Sequence, residues 1–246
     1  MRRKLIAALS LLLCVVMLSG CLGVTIGSMG SGVRGEGPMV VFPVATGEFT
    51  AVNVGGAFEI SYRQADTSSV TLEIQENLFE LIEFNVIDGV LNIDSTGSFT
   101  IDWGNSPRLT IYAPTLEQLT LTGAVSTGEW DIITAESFLL DLSGAASATI
   151  PMAVNSLTLD ISGAGSLSLN GTADVADIQS TGAASIDAGR LQTRIATVAV
   201  SGAGSVTIAT SEQLSASISG AGSLHYIGNP TVSQSVSGAG SIDQIG

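Results

Sequence analysis

The stretch SGAGS at 162–166 decides the fold of this chain, because it recurs with a regular spacing. Identical or near-identical copies stand at 122–126 (TGAVS), 143–147 (SGAAS), 181–185 (TGAAS), 201–205, 219–223 and 237–241. The motif starts are 18 to 21 residues apart, and every copy has glycine second, alanine third and serine fifth. Internal repetition with such a period is typical of a solenoid, in which each repeat forms one coil of a stack.

Apolar residues flank each motif and supply the predicted core. Ile161 precedes and Leu167 follows the copy at 162–166, and the other copies carry apolar residues at these places except for Thr127 after the first and Ser180 before the fourth. Apolar and polar residues alternate along each unit, which predicts a strand, a tight bend at the motif, a second strand and a polar return. We expect the motif alanines, such as Ala164, to point into the core beside the flanking apolar residues.

The coil length selects one kind of solenoid. A propeller blade needs about forty residues, and a left-handed hexapeptide helix needs a six-residue rhythm, so the variable coils exclude both. A flexible Gly/Ser linker is excluded because linkers carry no regularly placed Leu, Ile and Val. The sequence therefore predicts an all-β right-handed parallel β-helix with about 18–21 residues per coil. Stacked glycines would permit the bend, and the hydroxyls of stacked serines would hydrogen-bond to each other or to the bend.

The first twenty residues have the features of a secretory signal peptide. Arg2, Arg3 and Lys4 precede an apolar run, and the run ends at Leu18-Ser19-Gly20-Cys21. A small-residue cleavage site followed directly by cysteine resembles the bacterial lipobox, in which the cysteine is acylated after cleavage. Residues 1–20 are therefore predicted to be a lipoprotein signal peptide and Cys21 the lipidation site, with two or three acyl chains giving firm membrane anchoring.

Residues 21–46 are rich in glycine and are predicted to be a flexible tether, although Met39–Phe42 could instead be a first strand. The folded domain is predicted over 47–246. Within it, Asp88-Gly89 is a hairpin turn signal between two apolar alternating runs. Asn77–Phe84 fits either a helical face or extended chain.

Composition limits the possible partners. After residue 20 the chain keeps all 22 acidic residues, five arginines and no lysine, which gives a net charge of −17. Such a surface repels phosphate backbones, so nucleic acid is not expected as a partner. Cys14 would be removed with the signal peptide, which leaves one cysteine and no possibility of an internal disulfide.

Several stretches together resemble a known bacterial family. They are VNVGGAFEISY (52–62), VTLEI (70–74), ENLFELIEFNVIDGVLNI (76–93), LTIYAPTLEQLTLTGA (109–124) and the SGAGS repeats. In this order they are similar to the "putative autotransporter adhesin, head GIN domain" family over roughly 47–246. The resemblance implies a right-handed β-helix in a secreted or lipid-anchored envelope protein, with no catalytic residues. We expect no C-terminal translocator barrel, since residues 230–246 read as one more repeat.

Candidate reactive residues are few. Asp141 and Asp160 occupy the same repeat position one coil apart, where paired carboxylates could bind Ca²⁺ or act as general acid and base. Their neighbours at that position, Thr120 and Gln179, are neutral, so solvated surface residues are the simpler interpretation. His225 is the only histidine in the chain, so a Ser-His-Asp triad would depend on that single residue.

The remaining candidates are equally sparse. Asp174 and Asp177 are expected in a turn with no more than a surface role. Trp103 is expected in a loop and is the aromatic residue best placed for ligand contact. No calcium-binding Gly-Gly-x-Gly-x-Asp repeat and no phosphate-binding strand–loop–helix is present, so no metal and no cofactor are predicted.

The sequence thus favours a non-catalytic, lipid-anchored envelope protein, located at the outer membrane or cell surface, that acts as an adhesin or surface-binding module. Its partners would be the membrane, through Cys21, and a protein or glycan ligand. Two alternatives stay open: a structural or envelope-maintenance protein without an external ligand, and a polysaccharide-active β-helix enzyme. The enzyme is disfavoured because the repeats lack a cluster of acidic and basic residues.

Overall fold

The computed structural model describes residues 32–101 and 105–246. The strands in chain order are β1 (Val33–Arg34), β2 (Met39–Val44), β3 (Ala51–Gln64), β4 (Ser69–Gln75), β5 (Ile82–Ile87), β6 (Val90–Ser95), β7 (Phe99–Thr100), β8 (Arg108–Ala113), β9 (Gln118–Trp130), β10 (Ile133–Gly182), β11 (Ser185–Gly202), β12 (Ser205–Gly220), β13 (Ser223–Ile227), β14 (Thr231–Gly238) and β15 (Ser241–Gln244). A short 3-10 helix at Glu76–Leu81 lies between β4 and β5. No helix in these described ranges is long and apolar enough to cross a membrane.

The repeats stack as a parallel β-solenoid, which confirms the predicted all-β parallel β-helix. Equivalent motif serines are register partners in successive coils: Ser166 pairs with Ser185, Ser185 with Ser205, Ser205 with Ser223 and Ser223 with Ser241. The separation of these partners along the chain equals the separation of the motif starts, so one motif period is one coil. Since neighbouring strands lie about 4.8 Å apart, seven coils extend roughly 30–35 Å.

One apolar core runs through the stack. Inward residues lie above each other in columns, of which Ile178, Val198 and Ala216 form one. All three are buried, whereas the residues before and after each of them along its strand face outward. This alternation is the period of two that the sequence shows around each motif.

The motif alanines are not in the core, so the predicted inward orientation is wrong. Ala164 and its six equivalents are exposed, whereas the next residue of each motif faces inward, as buried Val125 and Ala184 show. The reason is that side chains alternate between the two faces of an extended chain. The alanine lies three residues after the apolar residue that precedes the motif and three before the one that follows it. An odd number of steps along an extended chain ends on the opposite face.

The motif glycines form a continuous column at one corner of the solenoid. A Cβ on Gly163 would lie 2.2 Å from the carbonyl oxygen of Gly144, and a Cβ on Gly182 would lie 2.3 Å from that of Gly163. The alanine that follows donates its N–H to the same column, for example from Ala183 to the Gly163 carbonyl oxygen at 2.9 Å. Side chains at this position would therefore collide with the coil beneath, which is the close-approach role of glycine.

The column extends one coil further toward the N-terminus than the seven motifs indicate. In β3, Gly56 pairs with Gly123 and Ala57 with Ala124, so Gly55-Gly56-Ala57-Phe58-Glu59 is an eighth, divergent copy. An insertion, residues 65–117, lies between β3 and β9 and so separates this copy from the next one. Two strands of that insertion, β6 and β8, pair in parallel with β3 and form the coil beneath it.

Antiparallel strands close this end of the solenoid. β4 pairs antiparallel with β8, β5 with β6, and β2 with β4. The β5–β6 connection is the predicted Asp88-Gly89 turn, where both residues have positive φ, as a type I′ hairpin requires. The ambiguous stretch 77–84 divides into the end of the 3-10 helix and the start of β5.

The described part of the segment predicted as a tether, 21–46, contains two strands, since β1 pairs with β7 and β2 with β4. Met39–Val44 is β2, at the position considered above for a first strand, and the Phe42 ring stacks on Phe79 with ring centroids 4.2 Å apart. The physical reason is that this apolar segment covers the sheet edge that β4 would otherwise expose. The predicted signal peptide and Cys21 lie outside the described residues.

Candidate functional site

The two aspartates that share a repeat position do not form a binding centre with other acids. Asp141 pairs in register with Thr120, and both Asp141 and Asp160 are half-buried on the outer side of the sheet face that precedes the motif corner. Within residues 32–101 and 105–246, no group of three or more His, Cys, Asp or Glu side chains is placed to hold a metal ion. The pair therefore has the geometry of surface residues on neighbouring coils.

His225 lies on a different face from these aspartates. It belongs to β13, which follows the motif corner, and its register partners are Thr207 in one neighbouring coil and Asp243 in the other. Asp141 and Asp160 belong to strand segments that precede the corner. The structure thus keeps His225 apart from Asp141 and Asp160, although Asp243 is its neighbour in the next coil.

The other candidate residues either contact neighbouring side chains and backbone or lie outside the described residues. Trp103 lies outside the described residues. Trp130 donates its indole N–H to the Ile60 carbonyl oxygen at 3.0 Å, and its ring packs against Tyr62 with centroids 5.8 Å apart. Asp174 and Asp177 belong to β10 rather than to the expected turn, and Asp174 lies 3.8 Å from the Arg194 guanidinium.

Three arginines on the surface each form ion pairs with two carboxylates. Arg63 bonds to Glu129 and Asp131, Arg108 to Glu59 and Glu73, and Arg194 to Asp174 and Glu212. The hydrogen bond from Arg108 to Glu73, together with the negative charge of Glu73, raises the pKa of Arg108 above its ordinary value, and Glu212 does the same for the pKa of Arg194. Exposed pairs of this kind contribute little to stability because water screens them, so they mainly fix side-chain positions.

The Arg194 cluster stands at the edge of an open groove of about 580 Å³. The groove exists because the coils become shorter at this point. Residues 189–191 lie between Ala188 and Gln192, but the register partners of those two residues are adjacent to each other in β12. The later coils are therefore narrower on this side and leave a step. The volume lies within the range of roughly 300–1,000 Å³ typical of small-molecule sites.

Four successive coils line the groove, and its floor is held by hydrogen bonds. Buried Thr193 donates its hydroxyl to the Ala209 carbonyl oxygen at 2.8 Å, and buried Thr210 donates to that of Arg194 at 3.1 Å. The Arg194 Nη1 lies 2.9 Å from each carboxylate oxygen of Glu212. The lining residues are Thr172, Asp174, Gln192, Thr193, Arg194, Ala209, Thr210, Ser211, Ile227, Gly228 and Asn229.

The sequence interpretation missed this groove. None of its lining residues belongs to an SGAGS motif or to another recognisable motif. They come from positions where the repeat is least regular. The available signal was a change in coil length, because the motif starts at 181 and 201 are farther apart than those at 201 and 219.

Solved structures share the whole fold. A putative adhesin from Bacteroides fragilis is 25% identical, with a TM-score of 0.81, and the match covers 87% of this chain and 100% of that one. A structure from Parabacteroides distasonis, described as a putative lipid binding protein, is 22% identical with a TM-score of 0.71 and covers 87% and 99%. A putative adhesin from Parabacteroides merdae is 20% identical with a TM-score of 0.67 and the same coverage. No curated protein matches the chain.

A family profile matches most of the folded domain. Residues 48–230 match the family described as "Putative auto-transporter adhesin, head GIN domain". The matched range includes the divergent coil of β3, the antiparallel end strands β4 and β5, and the first six motifs. Sequence profile and fold agree with the resemblance carried by the repeats, and the chain belongs to the family of the auto-transporter adhesin head GIN domain.

Proposed function

We propose that this protein is a lipid-anchored, non-catalytic component of the bacterial cell envelope that binds a surface ligand through its solenoid. The observation that carries the proposal is that Asp141 and Asp160 lie on a different face of a long, regular rod from His225, the only histidine. An enzyme needs acid, base and nucleophile within a few ångströms of one point. A binding module instead uses contacts spread over a rigid surface, and the family description and two of the similar solved structures, from Bacteroides fragilis and Parabacteroides merdae, name adhesins.

The lipid anchor rests on the sequence Leu18-Ser19-Gly20-Cys21. Cells that express the full chain and are fed radioactive palmitate should label the wild-type protein. Cys21→Ser should abolish the label and leave uncleaved precursor, because the thiol is the acceptor. The matched control is Cys14→Ser, which changes the only other cysteine and should label normally. Equal labelling of Cys21→Ser and wild type would contradict the anchor.

The binding role is tested on cells that display the full chain. Such cells should adhere to immobilised envelope or host-cell extracts more strongly than cells without it. Alanine at Asp141, Asp160 or His225, one at a time, should change adhesion by no more than about two- to three-fold, because each contributes a small part of a wide contact. If one of these variants folds normally and loses all activity, an enzyme becomes the better explanation.

A further inference from the structure

We propose that the groove beside Arg194 is a binding site for a neutral saccharide. This inference rests on the proposed surface-binding function and names the ligand class and the place where it binds. Among the described residues, the groove combines an adequate volume with fixed polar groups from four successive coils.

The charges of the groove disfavour an anionic ligand. Arg194 is its only cation among the lining residues, and Glu212 and Asp174 both pair with it. The cluster therefore has one more negative than positive charge, on a chain of formal net charge −14. A phosphate or carboxylate would have to displace these partners against the field of the whole molecule. A strongly cationic ligand would have to compete with Arg194 for the same two carboxylates.

The uncharged groups of the groove fit hydroxyl-rich ligands. Thr172 and Gln192 form no side-chain hydrogen bond within the described residues, although both line the groove and are exposed. The Asn229 Oδ1 accepts a hydrogen bond from Gln244 at 3.2 Å, which orients its amide and leaves two N–H donors. Hydroxyl and amide groups both donate and accept, as sugar hydroxyls do. Half-buried Ile227 provides an apolar contact for the C–H face of a sugar ring.

Hydrogen bonds hold the floor of the groove in place. Its floor contains the buried hydroxyls of Thr193 and Thr210, and Ser211 donates to the Thr193 carbonyl oxygen at 3.2 Å. Preorganised groups lose little conformational entropy on binding, which favours affinity in a site that has few apolar contacts.

A second depression of about 600 Å³ offers less chemistry. It lies at the motif corner of the first coils and is lined by Gly56, Ala57, Gly123, Ala124 and residues 95–99. No ionic or amide side chain belongs to its lining. The groove beside Arg194 also lies toward the C-terminal coils, at the end of the rod away from residue 32.

The test is saturation-transfer NMR on the purified full chain with three probe sets: neutral oligosaccharides of glucose, galactose, mannose and N-acetylglucosamine, sialyllactose as the anion, and tetralysine as the cation. We expect transfer to at least one neutral probe and none to the other two. Gln192→Trp should fill the groove and weaken binding by at least about tenfold. Gln179→Trp is the matched control, because Gln179 is also exposed but lies on another face, so this variant should leave binding unchanged. Thr172→Tyr blocks the groove from a neighbouring coil if Gln192→Trp unfolds.

The outcomes separate this inference from the proposed function. Binding that survives in both groove variants, transfer only to the charged probes, or no transfer to any probe overturns the saccharide site. If cells displaying the chain still adhere while both groove variants adhere equally well, the surface-binding function holds and its contact lies elsewhere. If wild-type cells do not adhere at all, the proposed function itself fails.

Discussion

The Cβ that Gly144 lacks would lie 2.4 Å from the carbonyl oxygen of Gly123 in the coil beneath. That distance is far below van der Waals contact and involves backbone rather than a movable side chain. Gly144 also has a φ of +131°, a conformation that other residues rarely adopt. Sterics and backbone conformation therefore both select glycine at this position.

The two effects can be separated with Gly163→Ala. A Cβ on Gly163 would lie 2.2 Å from the Gly144 carbonyl oxygen, but φ at Gly163 lies outside the positive range that disfavours side chains. We expect a loss of about 1–3 kcal/mol in unfolding free energy from urea denaturation, owing to steric overlap alone. Gly144→Ala should lose more. Gly97→Ala is the control, since the nearest atom to its Cβ would be a Leu81 methyl carbon at 3.8 Å. A neutral Gly163→Ala would mean that the coils can move apart at no cost.

Substitution by leucine should leave stability unchanged at the third motif position and lower it at the fourth. Ala184 is 3% exposed, so Ala184→Leu should overpack the corner and destabilise by about 1–3 kcal/mol. Ala164 faces solvent, so Ala164→Leu should stay within about 0.5 kcal/mol of wild type. Thermal and urea unfolding of both variants measure the difference, and the reverse order would show that the alanines face inward after all.

Ser180 occupies a core position and is expected to cost stability. It pairs in register with Val200, is 1% exposed, and its hydroxyl has no hydrogen-bond partner among the described residues. Ser180→Ala should stabilise the protein by about 1 kcal/mol, because it removes a buried polar group that is not satisfied. Exposed Ser217→Ala serves as the control and should have no effect. Destabilisation by Ser180→Ala would indicate a bound water that the hydroxyl requires.

Tyr62 should make the fold sensitive to alkali. Burial, and secondly the charge of Asp131, raise the pKa of Tyr62 above its ordinary value of 10.0. The fold thus favours the neutral phenol, so this contribution to stability is complete below the unfolded-state pKa and is lost as pH rises through the folded-state pKa. Unfolding free energies measured from mildly to strongly alkaline pH should fall more steeply for wild type than for Tyr62→Phe. Tyr112→Phe leaves Tyr62 in place and should retain the wild-type decline.

A whole coil should be removable. Deletion of 162–180 joins Ile161 to Thr181 and brings Gly182 over Gly144, so the glycine column stays continuous. Because coils contact mainly their neighbours, the shortened protein should fold with cooperative unfolding and a lower Tm. Deletion of only 162–170 breaks the column and should prevent folding, although it removes fewer residues. Circular dichroism and thermal unfolding distinguish these outcomes.

Much of the fold was predictable because its constraints repeat. Each coil faces the same demand for a glycine that approaches the coil below and for apolar residues on alternate sides, so the period, the strands and the stacking are visible in the sequence. The β3 coil was harder to identify. Its Gly55-Gly56-Ala57 copy keeps the glycine and alanine, but the insertion at 65–117 separates it from Gly123 and hides the period.

The groove was hard to predict for a different reason. It results from a difference between adjacent coils, whereas a repeat pattern contains only what the coils share. The pairing of Arg194 with Glu212 lies where the register between β11 and β12 shifts. The carboxylates that the pattern did place together, Asp141 and Asp160, are surface residues in equivalent positions.

The antiparallel N-terminal end also affects how copies of the protein can meet. A stack of parallel strands is a template for further strands, and open stacks of this kind grow into fibrils. At this end the described sheet has two edge strands, β2 and β5, and Pro43 of β2 has no N–H to offer to an incoming strand. Pro43 therefore makes the β2 edge a poor template for an incoming strand, which disfavours head-to-tail growth of the stack through this edge.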